Sequence, residues 1–343
     1  MLFIGENLAM LYNKLNKEDL IQRLQNEEFE RTTLSFYRYV NITEPTDFRH
    51  TLYRDFNDLN CLGRIYVASE GINAQMSVPK HNLNQFLTLL ESIPELSQMP
   101  IKYAVEDDGN SFYKLIIKVR AKIVADGLPE HSFDTTNVGN HLSALEFHTL
   151  LDHPETVVVD MRNNYESEVG RFKGAICPDA VTFREEIEQV TNLLQNEKGK
   201  KILLYCTGGV RCEKASAYLK HHGFEDVNQL YGGIIEYTQQ IKTQNLASKF
   251  IGKNFVFDNR MGERITEDVI AHCHQCNSVC DTHVNCANDL CHMLFIQCPE
   301  CQRKYSGCCS EECSSALENP EKYKGAIFKG KKWRRYTGET IML

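Results

Sequence analysis

The loop at residues 206–211, with the sequence Cys-Thr-Gly-Gly-Val-Arg, constrains the fold of this chain more than any other stretch. An apolar run at 202–205 leads into it, and a segment of helix-forming composition at 212–219 follows it. A strand that passes through a glycine-containing loop into a helix is typical of a parallel α/β sheet. Such a loop leaves backbone N–H groups free to stabilise an anionic sulfur. The sequence therefore predicts an α/β domain with a thiolate at Cys206.

The length of this loop distinguishes two kinds of cysteine chemistry. Four residues lie between Cys206 and Arg211, which suits one transferable sulfur atom, whereas a phosphate needs a wider loop. We interpret Cys206 as the reactive thiol and Arg211 as its cationic partner, against the simpler interpretation of a buried packing thiol. Cys212 is either a helix-packing residue or a second thiol that resolves oxidised Cys206 as a disulfide. The residues between Cys206 and Arg211 are Thr207, Gly208, Gly209 and Val210.

Alternating helix and strand patterns surround this loop from Ser143 to about Tyr237. Ser143 and Glu146 form a capping-box signature at the start of a helix, and the buried-strand run at 157–160 ends in a carboxylate. The alternation predicts a doubly wound α/β domain with a parallel sheet. Sites in such sheets form at the carboxyl ends of the strands, where both Asp160 and Cys206 fall.

The preceding part of the chain has a different order of elements. From residue 33 the patterns run β-α-β-β-α-β, and two runs after the second helix, at 101–105 and 113–119, are candidate strands. This order predicts a ferredoxin-like α+β sandwich, a scaffold shared by RNA-binding modules and by unrelated proteins. Four basic residues, Lys114, Lys118, Arg120 and Lys122, alternate along and beyond the last strand, as a phosphate-contacting surface or as an ordinary solvated face. The RNA-binding candidates among them are Lys118, Arg120 and Lys122.

Ten of the fourteen cysteines fall between Cys273 and Cys313, several of them in C-x2-C pairs. Two thiolates on one tight turn reach one tetrahedral metal ion. Because the N-terminus does not read as an export signal, the clustering favours metal over disulfides. We predict two closed, structural zinc sites, with an iron–sulfur cluster as the chemical alternative. The predicted ligands are Cys273, Cys276, Cys286, Cys291, Cys298, Cys301, Cys309 and Cys313.

These eight cysteines can be divided between two ions in more than one way. A sequential division places the first four on one ion and the last four on the other, and an interleaved division is the competitor. Two further cysteines and four histidines in the same segment are substitute ligands. They are Cys280, Cys308, His272, His274, His283 and His292.

Basic and aromatic residues alternate near the C-terminus. Residues 322–336 include seven basic residues and no acidic ones, although the net charge of the chain is −8. That net charge argues against a uniformly polyanion-binding protein, but a local patch can still bind nucleic acid. Phosphate-binding charge beside base-stacking rings fits single-stranded or looped RNA, and a solvated tail is the simpler alternative. The RNA-binding candidates here are Lys331, Lys332, Trp333, Arg334 and Arg335.

Together these patterns predict five segments. They are an N-terminal helical extension at 1–30, the ferredoxin-like domain at 31–125, a polar linker at 126–142, the α/β domain at 143–245, and a Cys-rich metal-binding module with a basic aromatic tail at 246–343. No stretch approaches the roughly 20 apolar residues that cross a bilayer. With clustered thiols and no predicted export signal, we expect a reducing, cytoplasmic location.

The motifs of the α/β domain resemble a rhodanese domain throughout its length. Besides the 206–211 loop, they are Val-Asp-Met-Arg at 159–162, Tyr-Glu at 165–166, Gly-Arg-Phe-Lys-Gly-Ala-Ile at 170–176 and Leu-Tyr-Gly-Gly-Ile at 230–234. A common rhodanese pattern has Gly-His where this chain has Gly170-Arg171. The resemblance implies that Cys206 is the reactive thiol, held by the loop amides and Arg211. Asp160 and Arg162 are then expected to form a pair that anchors loops near the site.

The whole architecture resembles the rhodanese-type tRNA uridine hydroxylases over roughly residues 33–336. The motifs outside the reactive loop are Ser-Glu-Gly-Ile-Asn at 69–73, Lys-Val-Arg-Ala-Lys-Ile-Val at 118–124, Thr-Phe-Arg at 182–184 and Cys-Cys-Ser at 308–310. The resemblance implies oxygen-dependent hydroxylation of the wobble uridine of tRNA to 5-hydroxyuridine, with Cys206 essential. It also implies that the basic residues hold the anticodon arm and that the zinc module is a scaffold.

Two other functions fit parts of the sequence. A general sulfurtransferase would pass sulfane sulfur from thiosulfate or a protein persulfide through a Cys206 persulfide. The loop supports this function, but the flanking domains are then unexplained. A non-enzymatic zinc- and RNA-binding adaptor would use the rhodanese fold only as a scaffold, and the intact Cys206 and Arg211 count against it.

Overall fold

The computed structural model describes residues 13, 15–130 and 132–323. These residues form two units. The first comprises the described part of Met1–Gly127 together with Asp258–Arg260. The second comprises the described parts of Leu128–Phe257 and Met261–Leu343. Within the described ranges, no helix is both long enough and apolar enough to cross a bilayer.

The first unit carries a single β-sheet and its helices. In chain order its elements are α1 (Lys17–Gln25), β1 (Arg31–Tyr39), α2 (Pro45–Asp58), β2 (Leu62–Ala68), β3 (Gly71–Pro79), a 3-10 turn (Lys80–Asn82), α3 (Leu83–Ser92), β4 (Lys102–Tyr103) and β5 (Leu115–Val119).

The five strands lie in the order β4-β1-β3-β2-β5. Strands β1 to β4 follow the predicted ferredoxin-like arrangement, and β5 extends the sheet parallel to β2. The ferredoxin-like prediction is therefore confirmed. Strand β4 is shorter than the predicted 101–105, because only Lys102 and Tyr103 pair with β1.

Helices α2 and α3 cover one face of this sheet. Phe56 on α2 and Phe86 on α3 are fully buried, and their ring centroids lie 5.4 Å apart. They share one hydrophobic core with inward-facing strand residues such as Phe36 and Ile65. Because side chains alternate along a strand, the intervening strand residues project from the opposite face.

The second unit contains the remaining described elements. They are β6 (Asn140–Leu142), α4 (Ala144–Leu150), β7 (Thr156–Asp160), α5 (Asn164–Val169), β8 (Gly170–Phe172), α6 (Phe183–Leu193), a 3-10 turn (Gln195–Glu197), β9 (Lys201–Tyr205), α7 (Val210–His221), β10 (Val227–Leu230), α8 (Gly233–Thr243), β11 (Phe250–Asn254), β12 (Glu263–Arg264), β13 (His283–Asn285), β14 (Leu294–Ile296), α9 (Pro299–Lys304), α10 (Glu311–Glu318) and a 3-10 turn (Pro320–Tyr323).

A parallel sheet of order β6-β10-β9-β7 lies at the centre of this unit. Residues of α4 and α8 share a core with Leu203 and Tyr205 of β9. Helix α7 packs on β9 and β10 and also contacts α6. The predicted doubly wound rhodanese fold is confirmed, and the capping box of Ser143 and Glu146 is present. The predicted linker at 126–142 is not free of regular structure, because its last three residues form β6 and pair with β10.

The Cys-rich segment is joined to the rhodanese elements through strand β11. This strand pairs antiparallel with β8 on one side and with β12 on the other, and β13 and β14 form a hairpin further along the chain. Val169 at the end of α5 shares a hydrophobic cluster with Cys273 and Cys298. The short helix α5 therefore links the Cys-rich segment to the region around Cys206.

Candidate active site and metal centres

Cys206 follows β9 directly, at the carboxyl edge of the parallel sheet. Its side chain is buried, and the amide N–H of Gly209 donates a hydrogen bond to the Cys206 Sγ at 3.1 Å. Gly209 has a φ of 103°, a left-handed conformation that favours glycine, and it caps the start of α7. The chain therefore curls around the sulfur and presents backbone donors to it, as the sequence pattern predicts.

The electrostatics of the loop favour the anionic form of Cys206. Burial by itself raises the pKa of a thiol. A hydrogen bond from the Cys212 thiol, the positive charge of Arg211 and backbone N–H groups outweigh burial and lower the pKa of Cys206 to about 6. Burial and the neighbouring Cys206 sulfur raise the pKa of Cys212, so Cys212 remains a neutral donor. Cys206 is mostly thiolate at neutral pH.

Arg211 is held by Glu166, which lies in one of the rhodanese-like motifs but to which the sequence assigned no role. Its Nη1 and Nη2 atoms donate to the Oε1 and Oε2 atoms of Glu166 at 2.6 and 2.9 Å. Glu166 is fully buried on α5, and its Oε2 atom also accepts a hydrogen bond from Thr207 at 3.4 Å. A two-point pair of this kind fixes the guanidinium in one orientation. It thereby fixes the loop on which the guanidinium sits.

Asp160 and Arg162 form a second buried pair at the end of β7. The Arg162 Nε and Nη2 atoms donate to the two carboxylate oxygens of Asp160 at 2.9 and 2.7 Å, and Nη2 also donates to the Gly170 carbonyl oxygen at 2.7 Å. The Tyr205 hydroxyl donates to Asp160 at 2.8 Å. Neither charged side chain is exposed. The pair ties β7, β8 and β9 together beneath the Cys206 loop.

Glu186 is a buried carboxyl group close enough to interact electrostatically with this site. Among the described residues, neither of its carboxyl oxygens has a hydrogen-bond partner. Burial raises its pKa well above the ordinary value, and the nearby Arg211 only partly offsets this. Glu186 lies on α6 with Phe183, Ile187 and Val190, which form the buried stripe of the helix. A charged residue on such a stripe is the sequence signal that could have identified it.

An aromatic ring lies beside Arg211. The Phe257 ring centroid is 5.8 Å from the Arg211 guanidinium carbon and 5.2 Å from the Phe255 ring centroid. Phe257 is 40% exposed, which is unusual for a large apolar side chain next to a buried ion pair. No sequence pattern indicates this position, because Phe257 lies 51 positions after Cys206 in the chain.

Eight cysteines form two compact sulfur clusters. In each cluster the four sulfur atoms all lie within 4.8 Å of one another. Within the clusters, the sulfur atoms of Cys276 and Cys298 are 3.6 Å apart, and those of Cys291 and Cys309 are 3.7 Å apart. Four thiolates around one tetrahedral ion with metal–sulfur bonds of about 2.3 Å would be separated by roughly 3.8 Å. Either cluster can therefore hold one metal ion.

The division of the eight cysteines between the clusters is interleaved, and the sequential division is wrong. The first cluster contains Cys273, Cys276, Cys298 and Cys301, and the second contains Cys286, Cys291, Cys309 and Cys313. The β13–β14 hairpin reverses the chain, and the His274 amide then bonds to the Ile296 carbonyl at 2.9 Å. This contact brings the two C-x2-C turns together. Likewise, the Ala287 amide bonds to the Gly307 carbonyl at 3.1 Å.

The substitute ligands proposed from the sequence lie outside both clusters. Cys280 and Cys308 are buried but belong to neither group. The Nε2 atom of His274 bonds instead to Glu168 at 2.9 Å. Backbone N–H groups donate to the clustered sulfur atoms, for example from Cys298 to Cys273 and from Cys309 to Cys286, each at 3.4 Å. Such donors stabilise thiolates and suit metal ligands.

The predicted RNA-binding residues differ in their surroundings. Lys118 and Arg120 are exposed, whereas the Lys122 Nζ atom pairs with the buried carboxylate of Asp126 at 2.7 Å. Lys122 is thereby part of a structural ion pair. The remaining candidates, Lys331, Lys332, Trp333, Arg334 and Arg335, lie outside the described residues.

Three family models match this chain in succession. They are the UPF0176 acylphosphatase-like domain at residues 31–123, the rhodanese-like domain at 143–240 and a family described as rhodanase C-terminal at 251–314. Among solved structures, the rhodanese-like domain of an Anabaena sp. protein is 22% identical, with a TM-score of 0.27, and the match covers 33% of this chain and 78% of that chain.

Curated relatives match over almost the whole length. A tRNA uridine(34) hydroxylase of Leptospira interrogans serogroup Icterohaemorrhagiae serovar Lai is 54% identical over 94% of this chain and 88% of its own. A tRNA uridine(34) hydroxylase of Photorhabdus laumondii subsp. laumondii is 52% identical over 92% of this chain and 90% of its own.

Proposed function

The chain belongs to the tRNA uridine(34) hydroxylase family, and we propose that Cys206 is the nucleophile with which it converts the wobble uridine of tRNA to 5-hydroxyuridine. The observation that carries this proposal is the stabilised thiolate. The Cys206 pKa is lowered to about 6, and the Gly209 amide lies 3.1 Å from the sulfur. The thiolate is the nucleophilic form of cysteine.

The first step is addition of the Cys206 thiolate to C6 of uracil. That carbon is electrophilic because the C5–C6 double bond is conjugated with the C4 carbonyl. The new S–C6 bond displaces the π electrons toward C5 and O4, which gives an enolate and requires no oxidant. C5 becomes electron-rich in this adduct, and the thiolate is a suitable leaving group for the return step.

The second step requires an oxidant and a reductant. C5 of the enolate receives one oxygen atom from O2, and the other oxygen atom leaves as water. A thiol reductant supplies two electrons and two protons and becomes a disulfide. Loss of the C5 proton and departure of Cys206 restore the ring double bond. The balance is uridine, O2, two electrons and two protons giving 5-hydroxyuridine and water.

The residues around Cys206 prepare the sulfur for attack. Arg211 supplies the positive charge beside the thiolate, and its pairing with Glu166 keeps that charge in place. The Asp160–Arg162 pair holds the strand ends on which the loop rests. A site fixed in this way needs little reorganisation when negative charge forms on the substrate.

The two sulfur clusters are proposed to hold structural zinc. Each offers four thiolates, which close the coordination of a tetrahedral ion and leave no position for water or substrate. Sulfur separations of 3.6 to 3.7 Å fit one ion per cluster better than the larger core of an iron–sulfur cluster. The metal would stabilise the segment that packs on α5.

The macromolecular partner is tRNA, and we place its anticodon arm against the basic residues. Lys118 and Arg120 would contact phosphate, together with Lys331, Lys332, Arg334 and Arg335 of the tail, and Trp333 would stack on a base. Lys122 has a smaller part in this proposal, since it pairs with Asp126. The proposed location is the cytoplasm, where tRNA is modified.

The test is 5-hydroxyuridine formation on purified tRNA, measured by mass spectrometry of nucleosides with O2 and a thiol reductant. Cys206→Ser should reduce the product at least about 10³-fold, as removal of a catalytic nucleophile does in other enzymes. Cys177→Ser is the matched control, because Cys177 lies in the same unit and is only partly buried. Full activity of Cys206→Ser would refute the role of Cys206.

A further inference from the structure

The five-stranded sheet has a second face that α2 and α3 do not cover. The strand residues that alternate with the core residues project there. Those in the middle rows of the sheet are half-buried or exposed, unlike their fully buried neighbours Ile65 and Ala74. We call this surface the open face. It consists of Tyr37, Arg64, Tyr66, Asn73, Gln75 and Lys118.

The strand register places these side chains in two rows. Tyr37 lies opposite Asn73, Asn73 lies opposite Tyr66, and Tyr66 is level with Lys118. In the next row Gln75 lies opposite Arg64. Directly opposed residues in a sheet share a face, so the rows are contiguous. Tyr37 and Tyr66 are two strands apart, a distance of about 10 Å.

The open face has a charge opposite to that of the chain as a whole. It carries the cations Arg64 and Lys118, and Arg120 adjoins it just beyond β5, whereas no strand residue in its two rows is acidic. The whole chain has a net charge of −8. Two strand rows that carry cations and no carboxylate, on an acidic protein, are complementary to a polyanion.

Aromatic rings on the open face stand beside cations. The guanidinium carbon of the exposed Arg120 lies 5.7 Å from the Tyr66 ring centroid, and the Nζ atom of Lys102 lies 4.6 Å from the Tyr37 ring centroid. Lys102 is buried, so Arg120 is the one of these two cations that can reach a phosphate. Tyr39 lies next to the open face, and its ring centroid is 6.4 Å from the Tyr37 ring centroid. Rings that alternate with cations can stack bases while the charges hold phosphates.

The borders of the open face are closed by the unit's own chain. At one end, the Thr33 hydroxyl bonds to Asp107 at 2.8 Å. At the other end, the Asn73 side chain reaches the Ile123 carbonyl at 3.4 Å, and Glu70 accepts a hydrogen bond from the Ile123 amide.

We propose that the open face binds unpaired nucleotides of the tRNA substrate by stacking bases on Tyr37 and Tyr66. This inference rests on the proposed function, which makes tRNA the substrate. Lys118, Arg64 and Arg120 contact the phosphates. The Asn73 and Gln75 amides are bonded to each other and to the Ile123 carbonyl oxygen, and they hold the floor of the site between the two rings. Bases in a duplex are stacked on one another and cannot reach the rings. The ligand class is therefore single-stranded or looped RNA.

The test compares binding of two RNAs to the full chain in a Cys206→Ser background, where no turnover occurs. The probes are an unmodified anticodon stem-loop with uridine at the wobble position and a blunt duplex of equal length. The double variant Tyr37→Ala/Tyr66→Ala should bind the stem-loop at least about tenfold more weakly and leave duplex binding nearly unchanged. Unchanged stem-loop affinity, or an equal loss for both probes, would overturn the proposal.

Two matched controls separate stacking from folding. Tyr37→Phe/Tyr66→Phe keeps both rings and should retain stem-loop affinity within about twofold. Tyr103→Ala removes an equally large, 38% exposed ring from the same sheet, but opposite the inward-facing Leu34, and should also bind normally. If the alanine double variant does not fold, Lys118→Glu replaces it. Lys118→Glu should bind the stem-loop more weakly and with a smaller salt dependence. If both the affinity and its salt dependence stay as in the parent, the proposal is overturned.

Failure of this proposal and failure of the proposed function give different results. If the folded alanine double variant binds the stem-loop normally, the open face is not the docking surface, and the proposed role of Cys206 is unaffected. Conversely, a fully active Cys206→Ser enzyme would refute the nucleophile, while the binding comparison would still decide the open face.

Discussion

The Cys206 loop and the Cys-rich segment hold thiols in different ways. In the loop, one sulfur is surrounded by backbone donors and Arg211, and its pKa falls to about 6 without a metal. In the Cys-rich segment, the four sulfur atoms of each cluster lie within 4.8 Å of one another. Hydrogen bonds from Ser278 lower the pKa of Cys276, whereas burial and the neighbouring thiols raise the pKa of Cys301 in the same cluster. A single thiolate can be stabilised by protein dipoles and one guanidinium. Four packed thiolates need a dication.

The largest effect that would test this comparison is loss of metal from one cluster. Cys301→Ser should remove one bound ion and unfold the region around it, since zinc binding to such sites is worth about 10 to 16 kcal/mol. Metal content by atomic emission, together with circular dichroism, measures the change. Cys280→Ser is the control, because Cys280 belongs to neither cluster.

Double substitution distinguishes the two divisions of the ligands. Cys276→Ser/Cys298→Ser affects one cluster in the interleaved arrangement and should leave one ion bound. Complete loss of metal from this variant would contradict the interleaved division and support the sequential one, in which Cys276 and Cys298 bind different ions. In contrast, Cys206→Ser should leave the metal content unchanged, because Cys206 belongs to neither cluster and its thiolate is stabilised by backbone N–H groups and Arg211.

A smaller effect is expected on the acidity of Cys206. Alkylation of Cys206 by iodoacetamide should follow a titration with a midpoint near pH 6, and Arg211→Gln should move that midpoint to higher pH because a cation is lost. Peptide mass spectrometry measures alkylation at each site. Cys61, whose pKa is raised by burial to about 12, should stay unreactive at neutral pH. An unshifted midpoint in Arg211→Gln would contradict the role of Arg211.

The same lowered pKa makes a contribution to stability that depends on pH. The folded state favours the thiolate relative to the unfolded state, in which the pKa of a cysteine thiol is about 8.5. The contribution is present above that value and is lost as the pH falls through about 6.

The smallest effect concerns Glu186, whose folded-state pKa is raised by burial. A raised pKa means that its contribution to stability is complete below about pH 4.3 and is lost as the pH rises toward the folded-state value. Glu186→Gln keeps the size of the side chain and cannot ionise. It should therefore be more stable than the parent at pH 8 by about 1 kcal/mol or more, and equally stable near pH 4. Chemical denaturation at both pH values measures this, and a constant difference would contradict a neutral Glu186.

The sequence alone determined those features that depend on neighbours along the chain. The strand, loop and helix around Cys206 are continuous, so their order, the glycine conformation and the position of the thiolate follow from local residues. The capping box at Ser143 and the alternation of strands and helices are local in the same sense. The ferredoxin-like order likewise follows from the succession of strand and helix patterns.

Only the tertiary structure decided which distant residues meet. Glu166 reaches Arg211 across 45 positions of chain, and the β13–β14 hairpin sets which cysteines share a cluster. Strand register is a property of paired strands and not of the sequence of one strand. It brings Tyr37, Tyr66 and Lys118 onto one surface. The physical reason is that residue type limits local backbone geometry, whereas contacts between distant residues depend on how whole elements pack.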